Sequence, residues 1–225
     1  MTIAERLAQV REQIRDAALR SGRDSQGVRL IAVSKRQPIE RIRAAYEAGH
    51  RDFGENYPQG LFERAHLLPG DVRWHMIGHL QSNKARRTGE LAAMIHTVDS
   101  VKVARKLDLG AAARVDPVPV LVQVNVARER GKSGVDPRGL EELLGLLRAF
   151  ENLQVCGLMV IPPFDEQPRR WFSALREARD RAVVATGVPL PELSMGMSGD
   201  FTIAVEEGAT MVRVGTAIFG ERDAN

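Results

Sequence analysis

The sequence is poor in cysteine. Cys156 is its one cysteine among 225 residues, which excludes an internal disulfide framework and a cysteine-rich metal site. Cys156 lies in the apolar, strand-like run Gln154-Val155-Cys156-Gly157-Leu158-Met159-Val160. We therefore expect a buried and unreactive thiol.

Long apolar runs are also absent. Glu5, Arg6 and Gln9 interrupt the N-terminal region where a secretory signal would need a continuous apolar stretch. No later window approaches the length needed to span a membrane. The sequence therefore predicts a reduced, cytoplasmic setting and no membrane partner.

An excess of either charge is missing as well. The formal net charge is +3, and basic and acidic residues are interleaved, as in Glu12, Arg15, Asp16 and Arg20. Such alternation is typical of solvated helix faces, whereas nucleic-acid binding proteins cluster their basic residues. We expect no nucleic-acid partner.

What is present is the composition of an ordinary globular protein, with 44% hydrophobic and 27% charged residues. Ile3, Leu7, Val10 and Ile14 recur at helical spacing, and Ser21-Gly22 supplies a stop signal. The chain is therefore predicted to begin with an amphipathic helix over residues 1–22.

After this helix, short apolar runs alternate with longer helical patterns. The predicted strands are Val28–Ser34, Arg51–Gly54, Val72–Ile77, Met94–Val98, Val118–Val124, Val155–Val160, Glu192–Met195 and Met211–Val214. Eight strands that alternate with helices predict the α/β class and a single (β/α)8 TIM-type barrel. The barrel is expected over residues 28–220, within one domain that spans residues 1–225. An open doubly wound sheet is the alternative, but no Gly-x-Gly-x-x-Gly follows the first strand.

Lys35 ends the first predicted strand. Its period-2 alternation with Ile31 and Val33 points it towards the mouth of the barrel, where active sites of this fold are built. A partly desolvated lysine can be the neutral amine that attacks an aldehyde. An exposed charge at a strand end is the alternative interpretation.

The last two predicted strands are followed by loops that combine glycine with hydroxyl groups. These loops contain Ser198-Gly199 and Gly215-Thr216, at the two positions where TIM-type barrels frequently bind phosphate. Turn formation and helix capping are the alternative roles. Arg213 lies between the loops and alternates inward, where a buried cation needs a partner.

A pocket with an amine, two phosphate-binding loops and an inward arginine suits a phosphorylated aldehyde. The sequence resembles the pyridoxal phosphate homeostasis proteins, which are short relatives of the barrel domain of alanine racemases. The resemblance covers nearly the whole chain. It rests on Ala32-Val33-Ser34-Lys35, Phe53-Gly54-Glu55-Asn56-Tyr57, the segment from Trp74 to Lys84, Gly157-Leu158-Met159, Leu193-Ser194-Met195-Gly196-Met197-Ser198 and the segment from Arg213 to Gly220.

The resemblance implies pyridoxal 5'-phosphate (PLP) as cofactor, held as a Schiff base on Lys35. It also implies that Asn56 lies beside the ring, that Arg213 faces the pyridine nitrogen, and that Met195 belongs to the site. The implied phosphate-binding residues are Ser198, Gly199, Gly215 and Thr216. A permanent cation at the pyridine nitrogen weakens the ring as an electron sink, so a cofactor carrier is favoured over a fast enzyme.

Three further patterns are weighed and given minor roles. His75 and His79 are four apart, but Met76 stands where a zinc protease motif needs Glu, so we expect structural or rim roles and no metal. Gly131-Lys132-Ser133 matches the end of a nucleotide-binding P-loop, but that motif needs a glycine at position 126, where this sequence has Val126. Nucleotide binding is therefore excluded, and Lys132 remains a candidate for the rim of the cofactor site. The cluster Lys84, Arg86 and Arg87 is interpreted as a solvated helix face.

Three functions remain open. The first is a carrier that maintains vitamin B6 homeostasis by passing PLP to apoenzymes, acting as a monomer. The second is a racemase-like PLP enzyme, although related racemases take their second base from a C-terminal domain that we do not expect here. The third is a phosphosugar enzyme that uses Lys35 on an ordinary carbonyl.

Overall fold

The fold is a closed barrel of eight parallel strands, seen in a computed structural model that describes residues 1–165 and 167–221. Each strand pairs with the next in chain order, and the last pairs with the first. The strands are β1 (Arg29–Val33), β2 (Asp52–Glu55), β3 (Arg73–Met76), β4 (Met94–Val98), β5 (Val118–Gln123), β6 (Leu153–Met159), β7 (Glu192–Ser194) and β8 (Met211–Val214). The predicted barrel and its eight strands are confirmed. The expected single domain also includes residues 166 and 222–225, which lie outside the described residues.

Helices connect the strands as predicted. They are α1 (Ile3–Arg20), α2 (Ile39–Glu47), α3 (Pro58–Arg64), α4 (Ser82–Leu91), α5 (Val101–Ala111), α6 (Leu140–Leu147), α7 (Arg169–Thr186), α8 (Phe201–Glu206) and α9 (Thr216–Phe219). The last of these was not predicted, because four residues are too few to show a helical period. Among the described residues, no helix is both long and apolar enough to cross a bilayer.

Helix α1 is fixed at its start by a capping box. The Thr2 hydroxyl accepts from the backbone N–H of Glu5, and the Glu5 carboxylate accepts from that of Thr2. Its apolar face, with Leu7, Val10 and Ile14, is buried against α8, α9 and α2. The predicted extra helix is therefore packed onto the barrel.

The barrel separates two groups of apolar side chains. Most of them fill the layer between strands and helices, while Ile31, Met94, Leu121, Met159 and Met211 form a small cluster inside the barrel. Alternation along β1 explains the division, since its neighbours Leu30 and Ala32 belong to the outer layer.

Cys156 packs against the inner cluster and is half-buried. Burial raises the pKa of this thiol to about 12, so it is protonated at neutral pH and a poor nucleophile. This agrees with the unreactive thiol expected from the sequence.

Candidate functional site

A pocket of about 270 Å³ opens at the C-terminal ends of the strands. It brings together seven of the eight predicted site residues, Lys35, Asn56, Ser198, Gly199, Arg213, Gly215 and Thr216. Met195 is the exception, because its side chain is buried in the outer apolar layer. Ser194 points into the barrel, so alternation turns Met195 outward, and Met197 lines the pocket instead.

Lys35 lies in a tight turn that follows β1. The turn is closed by a hydrogen bond of 3.0 Å from the backbone N–H of Gln37 to the carbonyl of Ser34. Arg36 adopts a left-handed conformation with φ of 57°, which is uncommon for a residue other than glycine. The turn takes the chain sharply from the strand towards α2 and leaves Lys35 at the pocket wall.

A buried ion pair braces this turn from below. The Ser34 hydroxyl donates to Glu55 Oε1 at 2.6 Å, and Arg64 donates both to Glu55 and, at 3.0 Å, to the carbonyl of Gln37. Burial raises the pKa of Glu55, although the contacts with Ser34 and Arg64 oppose that effect. Both ends of the turn are therefore tied to one carboxylate–guanidinium pair.

On the other side of the pocket, hydrogen-bond donors gather around the Ser198 hydroxyl. Its oxygen accepts from the backbone N–H groups of Gly215 at 3.2 Å and Ala217 at 3.4 Å. Gly199 and Gly215 line the same wall without side chains, so a ligand can approach the backbone closely. Such a cluster of N–H and O–H donors suits an anion with several oxygens.

Arg213 forms the inner wall of the pocket. It is buried and donates to Ser194 Oγ at 2.7 Å and to the carbonyl of Val160 at 2.8 Å. Burial lowers its pKa to about 10, while the charge of Asp200 acts in the opposite direction, so the guanidinium remains a cation at neutral pH. These acceptors are the partners that an inward arginine requires.

From Arg213, a continuous chain of hydrogen bonds runs through the barrel interior. Ser194 Oγ lies 2.8 Å from His96 Nδ1, His96 Nε2 lies 2.9 Å from His75 Nδ1, and His75 Nε2 lies 3.0 Å from Asp52 Oδ1. All five side chains are buried. The chain links the pocket to Asp52 at the start of β2, near the opposite end of the barrel.

The donor and acceptor of each hydrogen bond in this chain follow from the groups at its two ends. Burial lowers the pKa of both His75 and His96, so both rings are neutral at pH 7. Since the Asp52 carboxylate only accepts, His75 carries its proton on Nε2, which makes its Nδ1 an acceptor. His96 then carries its proton on Nε2, and Ser194 donates to His96 Nδ1 while accepting from Arg213. Every hydrogen bond of the chain thus has one donor and one acceptor, and all of them donate in the direction from Arg213 to Asp52.

Asp52 terminates the chain as a carboxylate. Burial alone would raise its pKa, but hydrogen bonds from Arg73 and His75 outweigh burial and hold the pKa well below the usual value. Arg73 binds both oxygens, at 2.8 and 2.6 Å. The cation at the pocket is therefore connected, through neutral groups, to a fixed anion.

Asn56 adds an unpaired acceptor to the pocket. Its Oδ1 is buried and has no hydrogen-bond partner among the described residues. Its backbone is held in place by Gly78, where a Cβ atom would lie 2.1 Å from the Asn56 carbonyl oxygen. A buried acceptor of this kind is unfavourable unless a ligand supplies a donor.

The minor motifs of the sequence occupy different places in the structure. His75 belongs to the buried chain, whereas His79 is exposed and bonds Ser133 Oγ at 2.9 Å. Lys132 pairs with Glu129 at 2.5 Å, and the described residues contain no cluster of His, Cys, Asp and Glu that could hold a metal. Lys84 borders a neighbouring hollow that also contains Asn56 and His79.

Several residues that shape the site were not predicted from the sequence. They are Glu55 and Arg64, which brace the lysine turn, and Asp52, His96 and Ser194, which form the buried chain. For Asp52, His96 and Ser194 the available signal was alternation, since polar residues at inward positions of apolar strands need partners inside the barrel.

Comparison with known proteins agrees with this architecture. Residues 6–223 match the family model described as alanine racemase, N-terminal domain. Pyridoxal phosphate homeostasis proteins of Pseudomonas aeruginosa and Aquifex aeolicus are 44% and 42% identical over 226 residues, which cover 99% of this chain and 96% and 99% of theirs.

Solved structures agree as well. PipY of Synechococcus elongatus, solved without PLP, is 40% identical and has a TM-score of 0.87, with 97% of this chain and all of that chain covered. The same protein solved with PLP bound has a TM-score of 0.82. Alanine racemase of Corynebacterium glutamicum, 18% identical with a TM-score of 0.70, shares the fold over 93% of this chain and 59% of its own. The chain belongs to the family of pyridoxal phosphate homeostasis proteins, within the alanine racemase N-terminal domain family.

Proposed function

We propose that this protein binds PLP in the pocket through an imine between the cofactor aldehyde and Lys35 Nζ, formed with loss of water. It would act in the cytoplasm as a single-domain monomer that limits free PLP and passes it to apoenzymes. Reversible imine formation is enough for this role, since no bond of a further substrate has to break.

The observation that carries the proposal is the arrangement of the pocket. A lysine lies at one wall, and donors around Ser198 lie at another, with Arg213 at the inner wall. An amine, an anion cradle and an inner cation match the aldehyde, the phosphate and the ring of PLP. Relatives that cover nearly the whole chain carry the name of this function, and the PipY relative has been solved with PLP bound.

The residues of the pocket fit this cofactor. The orphaned Oδ1 of Asn56 offers an acceptor to a ligand bound in the pocket. Gly199 and Gly215 line the pocket with backbone alone, and the space beside Gly199 is open, which suits a phosphate. The pocket volume of about 270 Å³ lies near the lower end of the range for small-molecule sites.

Arg213 favours a carrier over a fast enzyme. PLP supplies an aldehyde and a ring that can accept electrons, and its acceptor strength depends on protonation of the pyridine nitrogen. The buried Arg213 cation, held by Ser194 and Val160, would disfavour a second positive charge on that nitrogen. The pocket would then stabilise the bound cofactor without strongly activating it.

The test is an absorbance spectrum of the protein with PLP, before and after borohydride reduction, followed by peptide mapping. We expect an imine band for the native chain and for Lys106→Ala, which removes an exposed lysine on α5. Lys35→Ala should lose the band and the reduced adduct. Lys84→Ala and Lys132→Ala test the two lysines near the mouth and should retain both.

An adduct on Lys84 or Lys132, or a Lys35→Ala spectrum identical to the native one, would contradict the proposal. Trapping of Lys35 by borohydride only with a sugar phosphate, and never with PLP, would favour the phosphosugar enzyme instead.

A further inference from the structure

A second and larger cavity opens at the other end of the barrel. Its volume is about 630 Å³, and we call it the basal cavity because it is built from the starts of β1, β2 and β3 together with α1. Five of the residues that line it are arginines, Arg11, Arg15, Arg29, Arg51 and Arg73. Four separate elements therefore bring cations to one concave surface.

Three of these arginines have carboxylate partners. Arg15 pairs with Glu12 at 3.1 Å, and Arg51 pairs with Asp71 at 2.6 Å. Arg73 is held by both oxygens of Asp52. Within the described parts of the chain, Arg11 and Arg29 have no carboxylate within ion-pair distance. The positive charge of the basal cavity is thus incompletely compensated.

Arg11 is held in place by a neutral group. His50 Nε2 lies 2.7 Å from the carbonyl of Asp52, which can only accept, so the ring proton is on Nε2. The lone pair on His50 Nδ1 then accepts from Arg11 Nη2 at 3.4 Å. Burial lowers the pKa of His50 to about 4, so this contact fixes the guanidinium without neutralising it.

Arg29 begins β1 and shares the inward face of that strand with Ile31. It is exposed at the start of the strand and lines the basal cavity, so its guanidinium lies at the lower opening of the barrel. Two cations without carboxylates in one cavity repel each other, and an anion bound there would remove that repulsion.

We propose that the basal cavity is a binding site for a small phosphate-bearing anion, with Arg11 and Arg29 as its main ligands. Planar guanidinium groups match phosphate oxygens in pairs, and every cation in the cavity is an arginine. This site is separate from the pocket at Lys35, since the two cavities have no lining residue in common.

The test is calorimetric titration of the full chain with inorganic pyrophosphate at low ionic strength. The protein is first loaded with PLP and reduced with borohydride, so that the Lys35 pocket is filled. We expect saturable binding that weakens by about tenfold or more in the double variant Arg11→Gln/Arg29→Gln. Thermal unfolding checks that the variant is folded.

The matched control is Arg86→Gln/Arg181→Gln, which removes the same charge from exposed helix faces where the ion pairs are long, at 3.9 and 4.0 Å. Equal weakening in the control would mean general charge attraction and would overturn the proposal, as would absence of saturable binding to the native chain. If PLP does not load, the same comparison is made without it, so this test does not depend on the proposed function.

Discussion

At the scale of single residues, the turn that carries Lys35 includes one unfavourable backbone conformation. Arg36 has φ of 57°, and a left-handed conformation in a residue with a side chain costs about 1–2 kcal/mol. The hydrogen bonds of Ser34, Glu55 and Arg64 to the turn offset this cost. Strain of this kind is found preferentially at functional sites, and here it lies beside the proposed imine lysine.

The anion cradle can be tested separately from the lysine. In Ser198→Ala/Thr216→Val, we expect the affinity for PLP to fall roughly 10- to 100-fold, because one or two hydrogen bonds to a charged phosphate are lost. The affinity for pyridoxal, which has no phosphate, should change little. Fluorescence titration with both compounds measures the difference.

Ser173→Ala is the control for this experiment, since Ser173 carries a hydroxyl on α7, outside the pocket, that bonds Glu177 and Arg176. It should leave both affinities at the native value. Equal losses for PLP and pyridoxal in the cradle variant would mean that Ser198 and Thr216 shape the pocket without binding phosphate.

At the scale of elements, the buried chain connects β2, β3, β4, β7 and β8. Each of these strands contributes one inward polar residue, and the chain has an arginine at one end and a carboxylate at the other. Such networks are favourable when every member is satisfied and costly when one member is lost. We infer that the chain holds the Arg213 guanidinium in a fixed orientation.

Removal of the Ser194 hydroxyl tests this inference. Ser194→Ala removes the hydroxyl that both Arg213 Nη1 and His96 Nδ1 contact. We expect the affinity for PLP to fall and the imine absorbance band to shift. Ser194→Thr, which restores a hydroxyl, should recover part of both. Thr97→Val is the control, because it removes a buried hydroxyl on β4 that bonds the carbonyl of Gly78 outside the chain.

A double variant separates positioning from general destabilisation. If Ser194 acts through Arg213, the effect of Ser194→Ala on the absorbance band should disappear in an Arg213→Gln background. Additive effects of the two substitutions would contradict this role and leave Ser194 as a packing residue.

Local sequence patterns were sufficient to predict the strands and the longer helices, but not the polar contacts between them. Alternation correctly placed Lys35 and Arg213 on inward faces, because the period of a strand is fixed by the backbone. Met195 was assigned to the site by the family resemblance alone, whereas alternation from the inward Ser194 places its side chain in the outer apolar layer. The pairing of His75 with His96 joins residues on different strands, and a pattern along one strand does not identify such partners.

At the scale of the whole molecule, the barrel was predictable because eight strands alternate with helices throughout the chain. The pocket followed from the fold, as the loops after β7 and β8 meet the end of β1 when the barrel closes. The basal cavity was not predicted, because Arg11, Arg29 and Arg73 are far apart in sequence and each resembles an ordinary surface charge. Only closure of the barrel brings them together.

The buried histidines should make the stability of the whole fold dependent on pH. Burial lowers the pKa of His50 to about 4 from 6.5, and it lowers those of His75 and His96 in the same direction. Because the unfolded chain binds more protons in this range, the free energy of unfolding is highest above pH 6.5 and falls as the pH approaches 4. His50 alone would contribute about 3 kcal/mol to this loss.

Urea unfolding of the protein without PLP, at intervals from pH 7.5 to 4.5, measures the dependence. In this window Asp52 remains ionised, since its pKa is held low, while burial raises the pKa values of Glu55 and Asp200 and opposes the effect of the histidines. The part of the slope that is due to a histidine is therefore measured with a variant. His50→Gln can retain the hydrogen bonds to Arg11 and Asp52 without titrating and should flatten the slope in part, with the remainder due to His75 and His96. A slope identical to that of the native chain would mean that His50 is hydrated in the folded state, and Arg11 would then lose the fixed position that the basal cavity requires.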